Sequence, residues 1–153
     1  MERLLKYLVH ITFIVYLYLL FIVLFDRPSG TEKLPIMLYL SYSVNLIPFK
    51  TIIEYTLALF DGSMGIGTAI DNLSANLLIF MPMGVYLPYY FKNKLSLKKC
   101  FLILIGMVFS VETLQLILKK GMFDIDDIIL NVLGGVIGFL LLNKLLKYIN
   151  YFI

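Results

Sequence analysis

Apolar residues are concentrated in four long runs along the chain, roughly residues 7–25, 73–91, 100–118 and 125–146. A helix needs about 20 such residues to cross a hydrocarbon core of roughly 30 Å, so each run predicts a membrane-spanning helix. The first run follows Arg3 and Lys6 as a signal peptide would. It exceeds the usual apolar core of about 7–15 residues and has no small-residue cleavage site behind it, which predicts a retained anchor.

A long connection, residues 26–72, separates the first two runs. It opens with Asp26, Arg27, Pro28, Ser29 and Gly30, residues that form turns. Residues 34–49 then read LPIMLYLSYSVNLIPF, with Pro35 and Pro48 near the ends. That stretch is short for a crossing and suits a re-entrant or interfacial segment. Residues 50–60 and the following Asp61 place Lys50, Glu54 and Asp61 at helical spacing, with Ile52, Ile53, Leu59 and Phe60 largely on the other side. The pattern predicts a helix on the membrane surface. Gly62, Gly65 and Gly67 in DGSMGIG read as a loop, because a phosphate cradle needs a strand before it and a helix after it in an α/β unit. Pro82 and Pro88 each predict a bend in the second span. The chain reads as one domain, residues 1–153: an all-α membrane protein, a bundle of about four transmembrane helices with a re-entrant or interfacial segment between the first and second.

Composition sharpens this. The chain is 61% hydrophobic and 15% charged, with a mean hydropathy of +0.93, against about 45–50% apolar and about 25% charged in soluble domains. A water-soluble fold this small has too little interior for that apolar surface. The single cysteine, Cys100, has no internal disulfide partner, and its place beside Lys98 and Lys99 predicts the reducing side of the membrane. The net charge of +3 carries no nucleic-acid signal, because basic residues in a membrane protein act as topological anchors. If residues 26–72 do not cross, one side holds Arg3, Lys6, Lys92, Lys94, Lys98, Lys99, Lys144 and Lys147, eight of the 13 basic residues. The other holds Arg27, Lys33, Lys50, Lys119 and Lys120, with Asp26, Glu32, Glu54, Asp61, Asp71, Asp124, Asp126 and Asp127. The positive-inside rule places both termini in the cytoplasm and the acidic residues outside.

Helix rise converts these positions into depths. A last helix starting at Asp124 puts Asn131 about 10 Å down, and a third helix ending near Lys119 puts Glu112 about 10 Å below the same surface. Gln115 lies one turn above Glu112, Asp124, Asp127 and Asn131 form a stripe at i, i+3 and i+7, and Asn72 and Asn76 sit one turn apart on the second helix. The expectation is a shared outer pocket among three helices. Even lenient scales charge roughly +2.5 to +3.5 kcal/mol for an aspartate at the bilayer centre, so these groups should face protein or water. Gly134, Gly135 and Gly138 allow a neighbouring helix to come close. Asn76, Glu112, Gln115 and Asn131 have two readings, as interhelical hydrogen-bond glue or as a binding site. Three adjacent carboxylates, Asp124, Asp126 and Asp127, exceed what glue requires and repel unless a cation, water or basic group intervenes, and helix capping accounts for one. A divalent cation on Asp124 and Asp127 would relieve the repulsion. The chain has no paired histidines or cysteines for zinc and no Ser-His-Asp set, since its one histidine is His10. His10, Tyr39, Tyr42, Tyr89 and Tyr90 read as interfacial residues.

Four blocks carry a resemblance: NLIPF at Asn45 to Phe49, N-x3-F-x-P-x-G at Asn76 to Gly84, S-x-ETLQ at Ser110 to Gln115, and FDIDDIILNVLGG at Phe123 to Gly135. In this order, over about residues 40–140, they resemble the VanZ-like family of small bacterial membrane proteins. The resemblance implies a bacterial cytoplasmic membrane protein associated with reduced susceptibility to teicoplanin and related lipoglycopeptides. One departure stands out: relatives resemble G-R-x-x-D before the last helix, whereas here Lys120, Gly121, Met122, Phe123 and Asp124 put glycine where that arginine would stand. Lys119 or Lys120 would supply charge there without the planar fork that grips phosphate or carboxylate.

The expected function is therefore glycopeptide resistance of the teicoplanin type, by recognition of a lipid-linked cell-wall intermediate or a lipoglycopeptide in an outer-leaflet pocket. The expected ligand-binding residues are Asn45, Asn72, Asn76, Glu112, Gln115, Asp124, Asp127 and Asn131, with membrane lipid as a partner and no cofactor. The alternative is a metal-assisted phosphoryl hydrolase or transferase acting on a lipid, with Asp124 and Asp127 on the metal and Glu112 as general base. A proton-coupled carrier titrating on Glu112 ranks below both, because the polar residues stop at mid-depth.

Overall fold

The computed structural model describes residues 2–26, 33–63, 65–92 and 94–152. Arg27, Pro28, Ser29, Gly30 and Glu32, like Met64 of the glycine-rich loop, lie outside these residues. In chain order the elements are α1 (Glu2–Phe25), α2 (Ile36–Ser43), β1 (Val44–Asn45), α3 (Lys50–Asp61), α4 (Ile66–Ile79), α5 (Met81–Tyr90), α6 (Leu97–Ile117), β2 (Phe123–Asp124) and α7 (Ile125–Phe152). Helices long and apolar enough to cross a membrane cover Lys6–Phe25, Ile66–Tyr90, Leu97–Ile117 and Ile125–Leu145. The architecture is that of an all-α, multi-pass membrane protein, with one two-residue parallel pairing of β1 and β2 as its sheet among the described residues.

The second crossing starts at Ile66, earlier than the apolar run at 73 suggested, because Gly65 sets the helix start. The polar residues of its first turns bond locally, Asn72 Nδ2 donating to the Thr68 carbonyl at 2.8 Å. The crossing divides at Phe80, and the helix resumes at Met81 with Pro82 in its first turn, where the missing N–H costs nothing. Pro88 lies inside α5.

α7 is the axis of the bundle, and its closest contacts with α4 and α5 are backbone to backbone. A Cβ on Gly134 would lie 1.8 Å from the Leu77 carbonyl oxygen, one on Gly138 would lie 2.0 Å from that of Met81, and one on Gly84 would lie 1.8 Å from that of Gly135. On its other flank α7 meets α6, where a Cβ on Gly135 would come within 2.7 Å of Leu104. Phe80, Met83, Leu104, Val108, Val132 and Phe139 fill the core around these crossings. α1 is applied to the outside, with no fully buried residue in its crossing but with Phe13, Tyr16 and Leu20 half-buried against the core. Tyr16 donates to the Ile79 carbonyl at the α4–α5 break (2.9 Å), and Gln115 Nε2 donates to the Leu24 carbonyl (2.9 Å). Phe13 packs on Tyr86 and Tyr90, which His10 also meets edge-on, in keeping with an interfacial histidine.

The segment expected to be re-entrant or interfacial stays at one end of the bundle. Tyr39 does not sit at an interface; it is fully buried, and its hydroxyl donates to the Gly121 carbonyl at 2.7 Å. β1 then pairs with β2, Val44 opposite Phe123 and Asn45 opposite Asp124. Both links pin residues 36–45 to the turn where α6 hands over to α7. α3 presents Ala58 and the half-buried Ile52, Tyr55 and Leu59 to the bundle. Its Ile53, Leu57 and Phe60 are exposed, a distribution that fits a helix on the membrane surface. It ends at Gly62, whose φ of 69° and N–H bond to the Ala58 carbonyl make a left-handed cap.

The packing makes a direct prediction. Gly84→Ala and Gly134→Ala drive a methyl into a carbonyl that helix geometry holds in place, and each should lower stability by ~1–3 kcal/mol. Gly106, with nothing within 4 Å of its virtual Cβ, is the control. Gly106→Ala should be neutral or stabilise by up to about 1 kcal/mol. Thermal unfolding in detergent measures all three.

Candidate functional site

The pairing of Asn45 with Asp124 organises the polar end of the bundle. Asp124 precedes α7 and caps it, accepting the Asp126 N–H at 2.8 Å. The same carboxylate accepts from Asn45 Nδ2 (3.2 Å) and from the Thr51 hydroxyl (2.6 Å), which joins β1 and α3 to the start of α7. Asn45 Nδ2 also reaches Thr51 Oγ1 at 3.0 Å.

Asp126 points elsewhere. It is fully buried and accepts the main-chain N–H groups of Phe49 (2.5 Å) and Ile52 (3.1 Å), so it caps α3 from across the fold. α3 needs this, because its own cap position is Phe49, with no side-chain acceptor and a φ of 66°. A left-handed backbone is costly for a bulky residue and persists where surrounding bonds hold it. Asp127 turns to α4 and accepts from Asn76 Nδ2. The predicted crowding of three carboxylates is thus resolved by aiming them at three elements. Tyr55 stands close enough for burial, and then the charges of Asp127 and Asp124, to hold its phenol above the usual range. Asp61, at the far end of α3, is held below the usual carboxylate range by the Ser63 side chain and main-chain N–H.

Glu112 is buried, on the α6 stripe that carries Leu104 and Val108. The depth arithmetic placed it level with Asn131, and here the structure differs by about one helical turn. The contact of Leu104 with Gly135 sets the register of antiparallel α6 and α7. Counting eight residues up α6 and eight back along α7 brings Glu112 beside Asp127. In agreement, the Glu112 carboxylate faces the Asp124 main-chain N–H and feels the Asp127 charge. Asn131 Nδ2 bonds instead to the Asp127 carbonyl of its own helix (2.8 Å). Glu112 Oε2 and Asn131 Oδ1 are both buried without a hydrogen-bond partner.

Of the eight expected ligand-binding residues, Asn45, Asn76, Glu112, Asp124, Asp127 and Asn131 gather at this end. Gln115 turns away to α1, and Asn72 is exposed and bonded to its own helix. Thr51 and Asp126 belong to the network but were not among those eight. A signal for Asp126 was present: a helix beginning at Lys50 after Pro48 and Phe49 has no capping side chain of its own, so an acceptor must come from elsewhere. Asp124 and Asp127 turn to different partners, Asp124 to Asn45 and Thr51 and Asp127 to Asn76. Among the described residues no group of three acidic, histidine or cysteine side chains is arranged to hold a metal ion.

Besides an open volume at the start of α4 lined by Thr68, Asp71 and Asn72, a polar and an apolar volume lie against the network. The polar one is not enclosed by the second, third and fourth crossings, as expected, but lies outside them. It is a cleft of about 290 Å³ between the α2–α3 segment and β2, lined by Ser41, Tyr42, Asn45, Lys50, Thr51 and Glu54 among others. The apolar one is a groove of about 560 Å³ between α6 and α7, lined by Phe101, Ile105, Ile128, Val132 and Val136, with Lys98 at its far end.

Four helices able to cross a membrane, with a buried carboxylate and amide network joining α3, α4 and α7 at one end, define a multi-pass membrane protein. The chain belongs to the VanZ/LLP1 family, which matches residues 12–147. It is also similar to Protein VanZ of Enterococcus faecium, 36% identical over 76 residues, a match covering 49% of this chain and 46% of that protein. The matched region thus spans about half of that curated relative. No solved structure matches. The resemblance drawn from the four sequence blocks is borne out.

The network predicts which carboxylate is structural. Asp126→Ala orphans the N–H groups of Phe49 and Ile52, each bonded to a charged acceptor, and should cost ~3–5 kcal/mol. Thr51→Val removes one hydroxyl from Asp124 and should cost about 1–2 kcal/mol. Equal losses in thermal unfolding would contradict the capping role of Asp126.

Proposed function

We propose that this VanZ/LLP1 protein is of the teicoplanin-resistance type and acts at the outer face of a bacterial cytoplasmic membrane, holding the polar headgroup of an envelope molecule in the cleft beside Asn45. The observation that carries this reading is the cleft itself. Its hydroxyl, amide, ammonium and carboxylate groups face open space at a bundle end, where the other carboxylates are committed to the fold. The apolar groove starts at Ile128, about one helical turn from Asp124, and supports a long acyl chain lying against α6 and α7. A lipid-linked cell-wall intermediate and a lipoglycopeptide share that combination of polar head and acyl chain. The similarity to Protein VanZ supports the resistance readout.

Orientation rests on the eight-to-five division of basic residues, which favours both termini inside and the cleft outside. The metal-assisted phosphoryl-transfer alternative draws no support from the bonding, because Asp124 and Asp127 already accept from Asn45, Thr51 and Asn76.

Two measurements test this. Lys50→Ala and Glu54→Ala change exposed cleft residues without touching the capping network, so both variants should accumulate normally. Each should lose roughly tenfold or more in protection of a sensitive host against teicoplanin, the scale of about 1.4 kcal/mol in binding. Protection equal to the parent in both would remove the cleft from the function. Reporters fused after Ile153 and within residues 92–99 should read cytoplasmic, and one beside Gly65 external. A cytoplasmic Gly65 would invert the assignment of the cleft to the outer leaflet.

A further inference from the structure

We infer that Glu112, Asp127 and Asn131 form a site for one small cation, a proton or an alkali-metal ion, inside the bundle between α4, α6 and α7. It lies deeper than the cleft and stands independently of the headgroup reading. Asp124 is the partition: its side chain belongs to the cleft, and its main-chain N–H faces Glu112.

The argument is a count of donors and acceptors. The donors around the site are spoken for, Asn76 Nδ2 by the Asp127 carboxylate and Asn131 Nδ2 by the Asp127 carbonyl. What remains are oxygens. Glu112 is 3% exposed and Asn131 2%, and Glu112 Oε2 and Asn131 Oδ1 both lack a partner. Both orphans are acceptors on adjacent helices, Glu112 beside Asp127 and Asn131 one turn deeper along α7. An unpaired buried acceptor at membrane depth is expensive, and two within a turn of each other are relieved together by one positively charged species between them.

Charge points the same way. The ionisable groups acting on Glu112 are Asp127 and Asp124, and those acting on Asp127 are Asp124 and Asp126. Tyr55 of α3 adds a phenol, which carries no positive charge. Among the described residues the charged groups acting on Glu112 and Asp127 are all carboxylates, with no lysine or arginine among them. Asp127 already accepts from Asn76, so the oxygens left without a partner are Glu112 Oε2 and Asn131 Oδ1, which suit one small charge rather than the roughly six or more oxygens of a divalent shell. A proton and an alkali-metal ion share what the site asks for, a positive charge small enough to enter among oxygens.

The two sources are separated on the purified full chain in detergent. The first readout is the thermal midpoint in sodium, potassium and choline chloride at equal ionic strength. An alkali-metal ion in the site raises the midpoint in sodium or potassium over choline. The second is the infrared carbonyl stretch of a protonated carboxyl group at neutral pH, which reveals a bound proton. One of these signals is expected in the wild type and should be lost in Glu112→Gln, whose amide offers its own donor to Asn131 and carries no charge. A wild type with neither signal overturns the proposal, because a neutral water molecule then suffices. A signal that survives unchanged in Glu112→Gln overturns it equally. If that variant does not accumulate, Asn131→Ala, which removes one orphan and leaves Glu112 intact, should weaken the cation dependence or shift the carbonyl stretch. No change there counts against the site.

Discussion

The close approach of α7 to its neighbours is the constraint on which the rest of the structure depends. At Gly134, Gly135 and Gly138 the axis helix meets carbonyl oxygens of α4 and α5 and the side chain of Leu104, with no room for a methyl group at the tightest points. Lipid is as apolar as leucine, so helices in a membrane gain little from burying apolar surface and associate through dense packing and hydrogen bonds. Backbone contact supplies the packing. The Leu104 side chain against Gly135 fixes the register of α6 against α7, and with it which polar side chains meet.

Register turns a repulsive sequence into a cohesive site. Asp124, Asp126 and Asp127 stand within four residues of one another, yet each serves a different partner: the cap of α7 with Asn45 and Thr51, the start of α3, and Asn76 of α4. The carboxylates thereby hold the α2–α3 segment onto the bundle, where Tyr39 and the β1–β2 pairing add two further links. The polar cleft lies between that segment and β2.

Some of this was legible in residue order. Uninterrupted apolar runs identified the four crossings, since nothing else explains runs of that length. Gly134 and Gly138, four residues apart, announced a close helix contact. The block from Phe123 to Gly135 and the S-x-ETLQ block carried the family, because such patterns have few other origins. Where the sequence misled, local chemistry had replaced the apolar signal. The second crossing begins at Gly65 through polar residues that bond within the helix, and Tyr39 looks interfacial until its hydroxyl is seen to reach Gly121.

Residue order by itself determined the solvent of the fold, the number of crossings and which residues carry charge, because these follow from composition and length along one helix. It also picked out most of the polar network, since Asn45, Asn76, Glu112, Asp124, Asp127 and Asn131 all lie at one end. Only the tertiary structure decided their pairing. The level of Glu112 against α7 depends on how far two helices slide before Leu104 meets Gly135, and a slip of one turn changes its neighbour from Asn131 to Asp127. The direction of Asp126 depends on where the start of α3 comes to rest, a contact across 74 residues that no local pattern encodes.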